Sequence, residues 1–188
     1  MRYDFSSVTP EQRTKLFPII LTEHDNSWKE RYEEQKAFLT ELFCKDAVRI
    51  SHIGSTSVSG LYSKPTIDIL LEVSDSCDIS TYSEAMLDNG WIINTPSQDI
   101  IMYLKGYTPD GFRGQAYHVH VRHRGDWNEL YFRDYITAHP ETADEYAKLK
   151  RSLREQYEYD RDGYTEAKTE FISNITALAR EEFDGRYK

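Results

Sequence analysis

The sequence predicts a protein of the α+β (or mixed α/β) class, with a mixed β-sheet, helices packed on one side of it, and a helical carboxy-terminal third. Three observations lead to this prediction. Short segments in which apolar and polar residues alternate indicate strands in the first two thirds of the chain. A long amphipathic helix accompanies them at Trp28–Phe43, and from Trp127 onward the pattern becomes helical.

The amino-terminal part combines strands with one long helix. Ser27 offers an N-cap and Glu30 follows three residues later, as in a capping box, so a helix is predicted over Trp28–Phe43. Pro65 stands at the start of the most strand-like segment, where a proline is tolerated. The segments with strand character are Phe17–Leu21, Ala47–Ile53 and Thr66–Val73.

The remaining elements follow from turn residues and apolar spacing. Gly90 is typical of the residue that ends a helix, here one over Ser80–Asn89, and Pro109-Asp110-Gly111 indicates a loop between two antiparallel strands. The strands predicted in this part are Trp91–Asn94, Ile100–Tyr103 and Tyr117–Val121. The helices predicted after them are Trp127–Ala138, Pro140–Gln156 and Tyr164–Phe183.

The composition is that of a globular protein, with 39% hydrophobic and 29% charged residues in 188. No linker divides the chain, so one domain over residues 1–188 is predicted. A formal net charge of −9 opposes binding to nucleic acid, because that binding depends on neutralising phosphates. No apolar stretch is long enough to span a membrane, and Met1–Pro10 lacks a basic segment followed by an apolar one. Cys44 and Cys77 lack C-x-x-C spacing, so a cytoplasmic location is expected.

The segment His52–Gly60 (HIGSTSVSG) has the composition of a phosphate-binding loop. A glycine allows a close backbone turn, and the neighbouring hydroxyl and amide groups can surround phosphate oxygens. The candidate phosphate-binding residues are Gly54, Ser55, Thr56 and Ser57. Ordinary strand-to-helix loops have the same composition, so both interpretations stay open. A Walker loop is excluded, because no Gly-Lys-Ser/Thr follows at the required spacing.

Four residues are candidate metal ligands. A carboxylate inside a buried strand must be paired or bound to a cation, and Asp68 is such a residue. Glu72 shares its face of the strand, but their Cα atoms lie about 13 Å apart. His118 and His120 point to one side of their own strand and meet Asp68 if the two strands are neighbours; otherwise they form the polar face of an edge strand. Asp68, His118 and His120 are also the candidate catalytic residues.

Two cations are candidates for binding a triphosphate. Lys64 lies between the Gly-Ser loop and the acidic strand, and Arg133 lies on a predicted helix, where Asp134 can orient it. Each is also a credible member of a structural ion pair. The helices after Pro140 carry Glu, Lys and Arg at mixed spacings, which is typical of a solvated helix face.

A Gly-Ser turn followed, after twelve residues, by an aspartate on a hydrophobic strand resembles the signature of the nucleotidyltransferase (DNA polymerase β-like) superfamily. More closely, HIGSTSVSGLYSKPTIDILLEV at residues 52–73 resembles the GrpB family. The segments YHVHV (117–121), LYFRDYITAHP (130–140) and YAKLK (146–150) also resemble that family, so the resemblance covers residues 19–172. It implies a mixed sheet, flanked by helices, that carries the Gly-Ser turn and the acidic strand.

The resemblance implies metal-dependent transfer of a nucleotidyl group from a nucleoside triphosphate to an unknown acceptor. The divalent metal would be Mg²⁺ or Mn²⁺, or Zn²⁺ given the imidazole ligands. Active members of the superfamily usually have a second acid two residues after the first, where this chain has Leu70. Whether it is an enzyme therefore stays open. The alternatives are a catalytically degenerate module that binds a nucleotide or phosphorylated metabolite, and a metal-dependent phosphate-ester hydrolase; the oligomeric state is not predicted.

Overall fold

A computed structural model describes residues 8–96 and 99–188, so most of the Met1–Pro10 segment considered for a targeting signal lies outside the described residues. Within them, five strands form one sheet in the order β1-β2-β5-β4-β3. The strands are β1 (Ala47–Ile53), β2 (Thr66–Val73), β3 (Ile92–Pro96), β4 (Ile100–Thr108) and β5 (Gly111–His123). Strands β2 and β5 pair in parallel and the other neighbours are antiparallel, which confirms the predicted mixed sheet.

Helices precede, interrupt and follow the strands. They are α1 (Pro10–Leu16), α2 (Ser27–Phe43), α3 (Ser83–Asp88), α4 (Asn128–Ala138), α5 (Pro140–Gln156), α6 (Arg161–Glu166) and α7 (Thr169–Glu182). The last four make up the helical carboxy-terminal portion that the sequence predicts. No helix in the described part of the chain combines the length and the apolar character needed to cross a membrane.

One face of the sheet packs against α2 and α3 and forms the main core. The alternation of β2 sends every second side chain to this face, where each is fully buried: Ile67, Ile69, Leu71 and Val73. Trp28, Leu39 and Phe43 of α2 meet them, and burial of each large side chain contributes about 1.5–3 kcal/mol. This packing fixes which face of β2 points away from α2.

The opposite face of the sheet is covered as well, so the prediction of helices on one side only is wrong. Leu70 of β2 is fully buried there, in a cluster with Ile53 and with Leu130 of α4. A strand whose two faces both carry large apolar residues needs cover on both sides. The carboxy-terminal helices supply that cover, and the polar side chains of β2 are on the face of the sheet toward these helices.

The segment Phe17–Leu21 is not a strand. A short helix, α1, precedes it, with a capping box between Thr9 and Gln12, and Phe17 ends that helix. The following residues run as irregular backbone, in which the Ile19 amide donates to the Glu158 carbonyl at 2.7 Å. Phe17 and Ile19 are buried in two separate apolar clusters, whereas Ile20 is 45% exposed.

Other predicted boundaries shift. The capping box at Ser27 is absent: the N-cap of α2 is Asn26, without a side-chain cap. The helix predicted over Ser80–Asn89 begins as a short 3-10 turn before α3, and Gly90 ends it at φ +81° as expected. Strands β4 and β5 extend into the predicted loop and leave a tight turn at 109–110. The helix predicted over Tyr164–Phe183 is broken into α6 and α7.

A buried ion pair joins β1 to β2 at the end of the sheet away from the Gly-Ser loop. Glu72 is fully buried, and Arg49, its cross-strand neighbour, binds both carboxylate oxygens, with Nη2 2.7 Å from Oε1. The Gly125 amide also donates to Glu72 Oε1 at 3.1 Å, and Arg49 Nη2 donates to the Gly125 carbonyl. The pair therefore fastens the segment after β5 to the sheet.

Loss of the arginine should destabilise the fold. In Arg49→Leu the Glu72 carboxylate stays buried without its cation, so we expect the free energy of unfolding to fall by about 3 kcal/mol. Urea denaturation measures it. The control is Arg154→Leu, which breaks the exposed pair with Glu158 and should change stability by less than about 1 kcal/mol. Equal losses in the two variants would contradict this role of the pair.

Candidate functional site

The parallel pairing of β2 with β5 brings an aspartate and two histidines together. The register sets Asp68 opposite His118 and Leu70 opposite His120, and side chains two residues apart share a face. Ligand atoms of Asp68, His118 and His120 all lie within 4.8 Å of one another, and all three residues are half-buried. The structure thus brings together three of the four predicted metal ligands.

The His118 ring is held by hydrogen bonds at both nitrogens. Nδ1 lies 3.0 Å from Asp68 Oδ1 and Nε2 lies 2.8 Å from the Tyr107 hydroxyl, which also accepts a hydrogen bond from Arg161 Nη2 at 3.4 Å. Burial would raise the pKa of Asp68, but the hydrogen bond with His118 and the charges of His118, His120 and Lys64 outweigh it and lower the pKa. Asp68 is therefore a carboxylate at neutral pH.

Of the two imidazole rings in the cluster, that of His120 has no hydrogen bond at either nitrogen within the described residues. Burial lowers its pKa, and the nearby His118 and Arg122 act in the same direction against the opposing charge of Asp68. The ring is therefore neutral at neutral pH. A neutral imidazole offers the lone pair that a metal ion requires.

The Gly-Ser loop touches the three-residue cluster through its glycine. Gly54 has φ +68°, and a Cβ atom at this position would stand 2.5 Å from Asp68 Oδ2. Two of the predicted phosphate-binding hydroxyls donate to backbone carbonyls: Thr56 to that of Thr66, at the start of β2, and Ser57 to that of Gly54. Of the four predicted phosphate-binding residues of the loop, Gly54 and Ser55 line the cleft, whereas Thr56 and Ser57 do not.

The cluster lies in a cleft of about 1400 Å³ between the sheet and the carboxy-terminal helices. Side chains from β2, β4 and β5 form its floor. Its walls come from α1, α4 and the helices after it, and include Phe17, Phe132, Tyr146 and Tyr164. The cleft is large enough for a nucleotide-sized ligand, since ligand pockets usually measure about 300–1,000 Å³.

Among the cations that line the same cleft, Lys64, Lys150, Arg161 and Lys168 lie close enough to influence one another electrostatically. Lys150 Nζ donates to Ser55 Oγ at 3.1 Å, which connects the lysines to the Gly-Ser loop. Burial and the positive charges of the neighbouring cations lower the pKa of Lys64 and of Lys150 to about 7, and that of Lys168 to about 8. Lys64 is the one member of this group that the sequence singles out.

Glu72 and Arg133, like Thr56 and Ser57, do not line the cleft. Glu72 is on the same face of β2 as Asp68 but at its far end, where Arg49 and the Gly125 amide bind both carboxylate oxygens. Arg133 donates to the His52 carbonyl, to the Asp134 carboxylate and to the Tyr187 hydroxyl. The hypotheses that Glu72 binds the metal and that Arg133 binds phosphate are corrected accordingly, because the partners of both lie elsewhere in the fold.

Sequence reasoning missed Lys150, Lys168 and Arg161. It took the helices after Pro140 to have solvated charged faces, yet Lys150 is 2% exposed. A signal was present, since Tyr146, Lys150 and Leu153 recur at the spacing of one helix face and the other two belong to the apolar stripe. For Lys168, at the break between α6 and α7, no comparable signal exists.

Comparison with known proteins identifies the family. A family model described as GrpB protein matches residues 18–178. The chain belongs to the GrpB family. The resemblance in the HIGSTSVSG and YHVHV segments is thereby confirmed.

The relatives support this assignment over most of the chain. The UPF0157 protein YqkA of Bacillus subtilis (strain 168) is 34% identical over 171 residues, which are 89% of this chain and 48% of YqkA, so the chain spans about half of that protein. The glutamate-rich protein GrpB of Alkalihalophilus pseudofirmus is 31% identical over 84% of this chain and 93% of its own. The crystal structure of conserved protein GrpB from Enterococcus faecalis aligns with a TM-score of 0.77 at 26% identity, covering 87% and 99% of the two chains.

The glycine beside Asp68 provides a test of the site geometry. In Gly54→Ala the new Cβ pushes on the Asp68 carboxylate, so we expect Mn²⁺ or Zn²⁺ to bind at least tenfold more weakly, measured by calorimetry. Gly60→Ala is the matched control, because Gly60 has a similar φ of +76° and nothing within 4 Å of the added atom. Both variants carry backbone strain of about 1–2 kcal/mol, but Gly60→Ala should bind metal as wild type does. Equal metal affinities in the two variants would contradict the geometry.

Proposed function

We propose that the cleft binds a nucleoside triphosphate with a divalent metal ion and transfers its nucleotidyl group to an acceptor, which bonds to the α-phosphorus while the bond to the β-phosphate breaks and pyrophosphate leaves. The observation that carries this proposal is the meeting of Asp68, His118 and His120 in a cleft that a group of lysines and arginines also lines. The resemblance of the Gly-Ser turn and acidic strand to the nucleotidyltransferase signature agrees with it. The acceptor would be a small molecule or a protein, and nucleic acid is disfavoured by the net charge of −9.

The three side chains fit a divalent metal ion. One carboxylate oxygen and two imidazole nitrogens favour Mn²⁺ or Zn²⁺ over Mg²⁺, which prefers oxygen ligands throughout. Three protein ligands leave positions for substrate oxygens. Since both nitrogens of His118 are hydrogen-bonded, ligation by His118 replaces its contact with Asp68 or with Tyr107. Bound there, the metal would act as a Lewis acid on the phosphoryl oxygens.

The chain's own groups have separate tasks in this proposal. Asp68 and His120 hold the cation, and Gly54 lets the loop backbone approach the Asp68 carboxylate closely. Arg161 binds the Tyr107 hydroxyl, which in turn fixes the orientation of the His118 ring. The lysines neutralise the negative charge of the phosphates, and this electrostatic stabilisation is the main contribution a protein makes to phosphoryl transfer.

A binding module without turnover is the second candidate, and a specific observation favours it. Leu70 stands where a second acid would help to hold two metal ions, and Arg49 holds the other acid of the strand, Glu72. The remaining cluster provides ligands for one ion. A phosphate-ester hydrolase would use the same three residues with water as the acceptor, so turnover without an added acceptor indicates hydrolysis, whereas a nucleotidylated acceptor formed together with pyrophosphate indicates transfer.

Metal-dependent nucleotide binding is the test. With Mn²⁺ and a nucleoside triphosphate at a hundred times its dissociation constant, we expect stabilisation by about 2.7 kcal/mol, or about 5–10 °C in Tm. Asp68→Ala and His120→Ala should each lose the part of the shift that depends on the metal. Differential scanning fluorimetry across the common triphosphates, with and without EDTA, measures it.

The control for these variants is His123→Ala. His123 lies on β5, as His120 does, but its Nε2 is hydrogen-bonded to the Cys77 carbonyl, outside the cluster. Its removal should therefore leave the metal-dependent shift intact. If no triphosphate gives a metal-dependent shift with wild type, the proposed function is wrong. If the shift survives Asp68→Ala, the metal is not held by this cluster.

A further inference from the structure

Three lysines in the cleft, two of them buried and one half-buried, have no ion-pair partner among the described residues. Lys150 is 2% exposed, Lys168 is 9% exposed and Lys64 is half-buried. No ion pair within residues 8–96 and 99–188 joins any of them to a carboxylate. Burial of an ammonium group is costly unless a counter-charge or hydrogen bonds compensate for it. Asp68 attracts Lys64 and Lys168 from beyond ion-pair distance, so three such groups kept together with no carboxylate in contact suit a negatively charged ligand.

The three lysines come from separate elements and meet around aromatic rings. Lys64 precedes β2, Lys150 is on α5, and Lys168 lies at the break between α6 and α7. The ammonium groups of Lys64 and Lys168 are 5.3 and 4.3 Å from the centre of the Tyr164 ring, and Lys150 is 4.5 Å from that of Tyr146. Cation–π contacts of this kind lower the cost of burial in part, but they supply no counter-charge.

Tyr164 gives a second, independent indication of a ligand. Its side chain is fully buried and lines the cleft, yet the hydroxyl has no hydrogen-bond partner in the part of the chain that the structure describes. Buried tyrosine hydroxyls are normally paired. Burial raises the pKa of Tyr164, so the group keeps its proton and can donate it. An oxygen-rich anion between the lysines would accept that hydrogen bond.

We propose that Lys64, Lys150, Lys168 and Tyr164, together the lysine cluster, bind a chain of two or three phosphoryl groups independently of metal. Three ammonium groups spread over separate elements, with Arg161 beside them, match the charge of such a chain better than that of a single phosphate. This inference rests on the proposed function in that it identifies where the polyphosphate of the same substrate lies.

The position of the lysine cluster agrees with that assignment. The hydrogen bond from Lys150 to Ser55 Oγ joins the cluster to the Gly-Ser loop, and Gly54 of that loop touches Asp68. A polyphosphate on the lysines would therefore extend toward the metal-binding residues. The phosphates are bound mainly by side chains of the carboxy-terminal helices, because the Thr56 and Ser57 hydroxyls donate to backbone carbonyls and do not line the cleft.

Inorganic tripolyphosphate in the presence of EDTA tests the proposal on the full chain. By calorimetry at constant ionic strength, we expect it to bind wild type at least tenfold more tightly than orthophosphate does. Lys150→Met and Lys168→Met should each weaken tripolyphosphate binding at least tenfold, and Tyr164→Phe should weaken it several-fold. The unliganded Lys150→Met protein should melt at the same or a higher temperature than wild type, since an unpaired buried charge is removed.

Two matched controls separate the cluster from general charge effects. Lys148→Met removes the same charge from the exposed side of α5, and Tyr159→Phe removes a hydroxyl from a side chain that is 53% exposed. Both should bind tripolyphosphate as wild type does. The proposal is overturned if tripolyphosphate binds no better than orthophosphate, or if Lys148→Met and Lys150→Met lose affinity equally. Metal-independent binding of tripolyphosphate without any metal-dependent nucleotide response would support the lysine cluster and refute the proposed function.

Discussion

The parallel register between β2 and β5 is the constraint on which the site depends. Asp68 faces the cleft because Ile67 and Ile69 on either side of it are buried against the helices on the other face. A slip of one residue would send Asp68 into that core and turn the apolar residues toward the cleft. The same packing that stabilises the sheet therefore determines where the carboxylate meets His118 and His120.

Electrostatics divides the cleft into two ends. At one end the Asp68 carboxylate, with its lowered pKa, and the neutral His120 ring suit a cation. At the other end burial, together with mutual repulsion, lowers the pKa values of the lysines, which suits an anion. A metal-bound polyphosphate carries both charges, and its phosphates would supply the counter-charge that the lysines lack.

The strong periodic segments could be predicted from sequence, and the long-range pairings could not. Thr66–Val73 and Pro140–Gln156 have the predicted bounds because alternation and helical spacing are local properties of the chain. The Glu72 hypothesis was wrong because its partner, Arg49, is on another strand and nothing local indicates that contact. Phe17–Leu21 has strand-like composition, but it does not pair with either edge strand of the five-stranded sheet that the structure describes.

The most direct test is a crystal structure of the chain with Mn²⁺ and a non-hydrolysable nucleoside triphosphate, using the anomalous signal of manganese to locate the ion. The account predicts a manganese peak within coordination distance of Asp68 and His120, with the phosphates against Lys150 and Lys168. A manganese ion held by other residues, or a nucleotide bound outside the cleft, would contradict it.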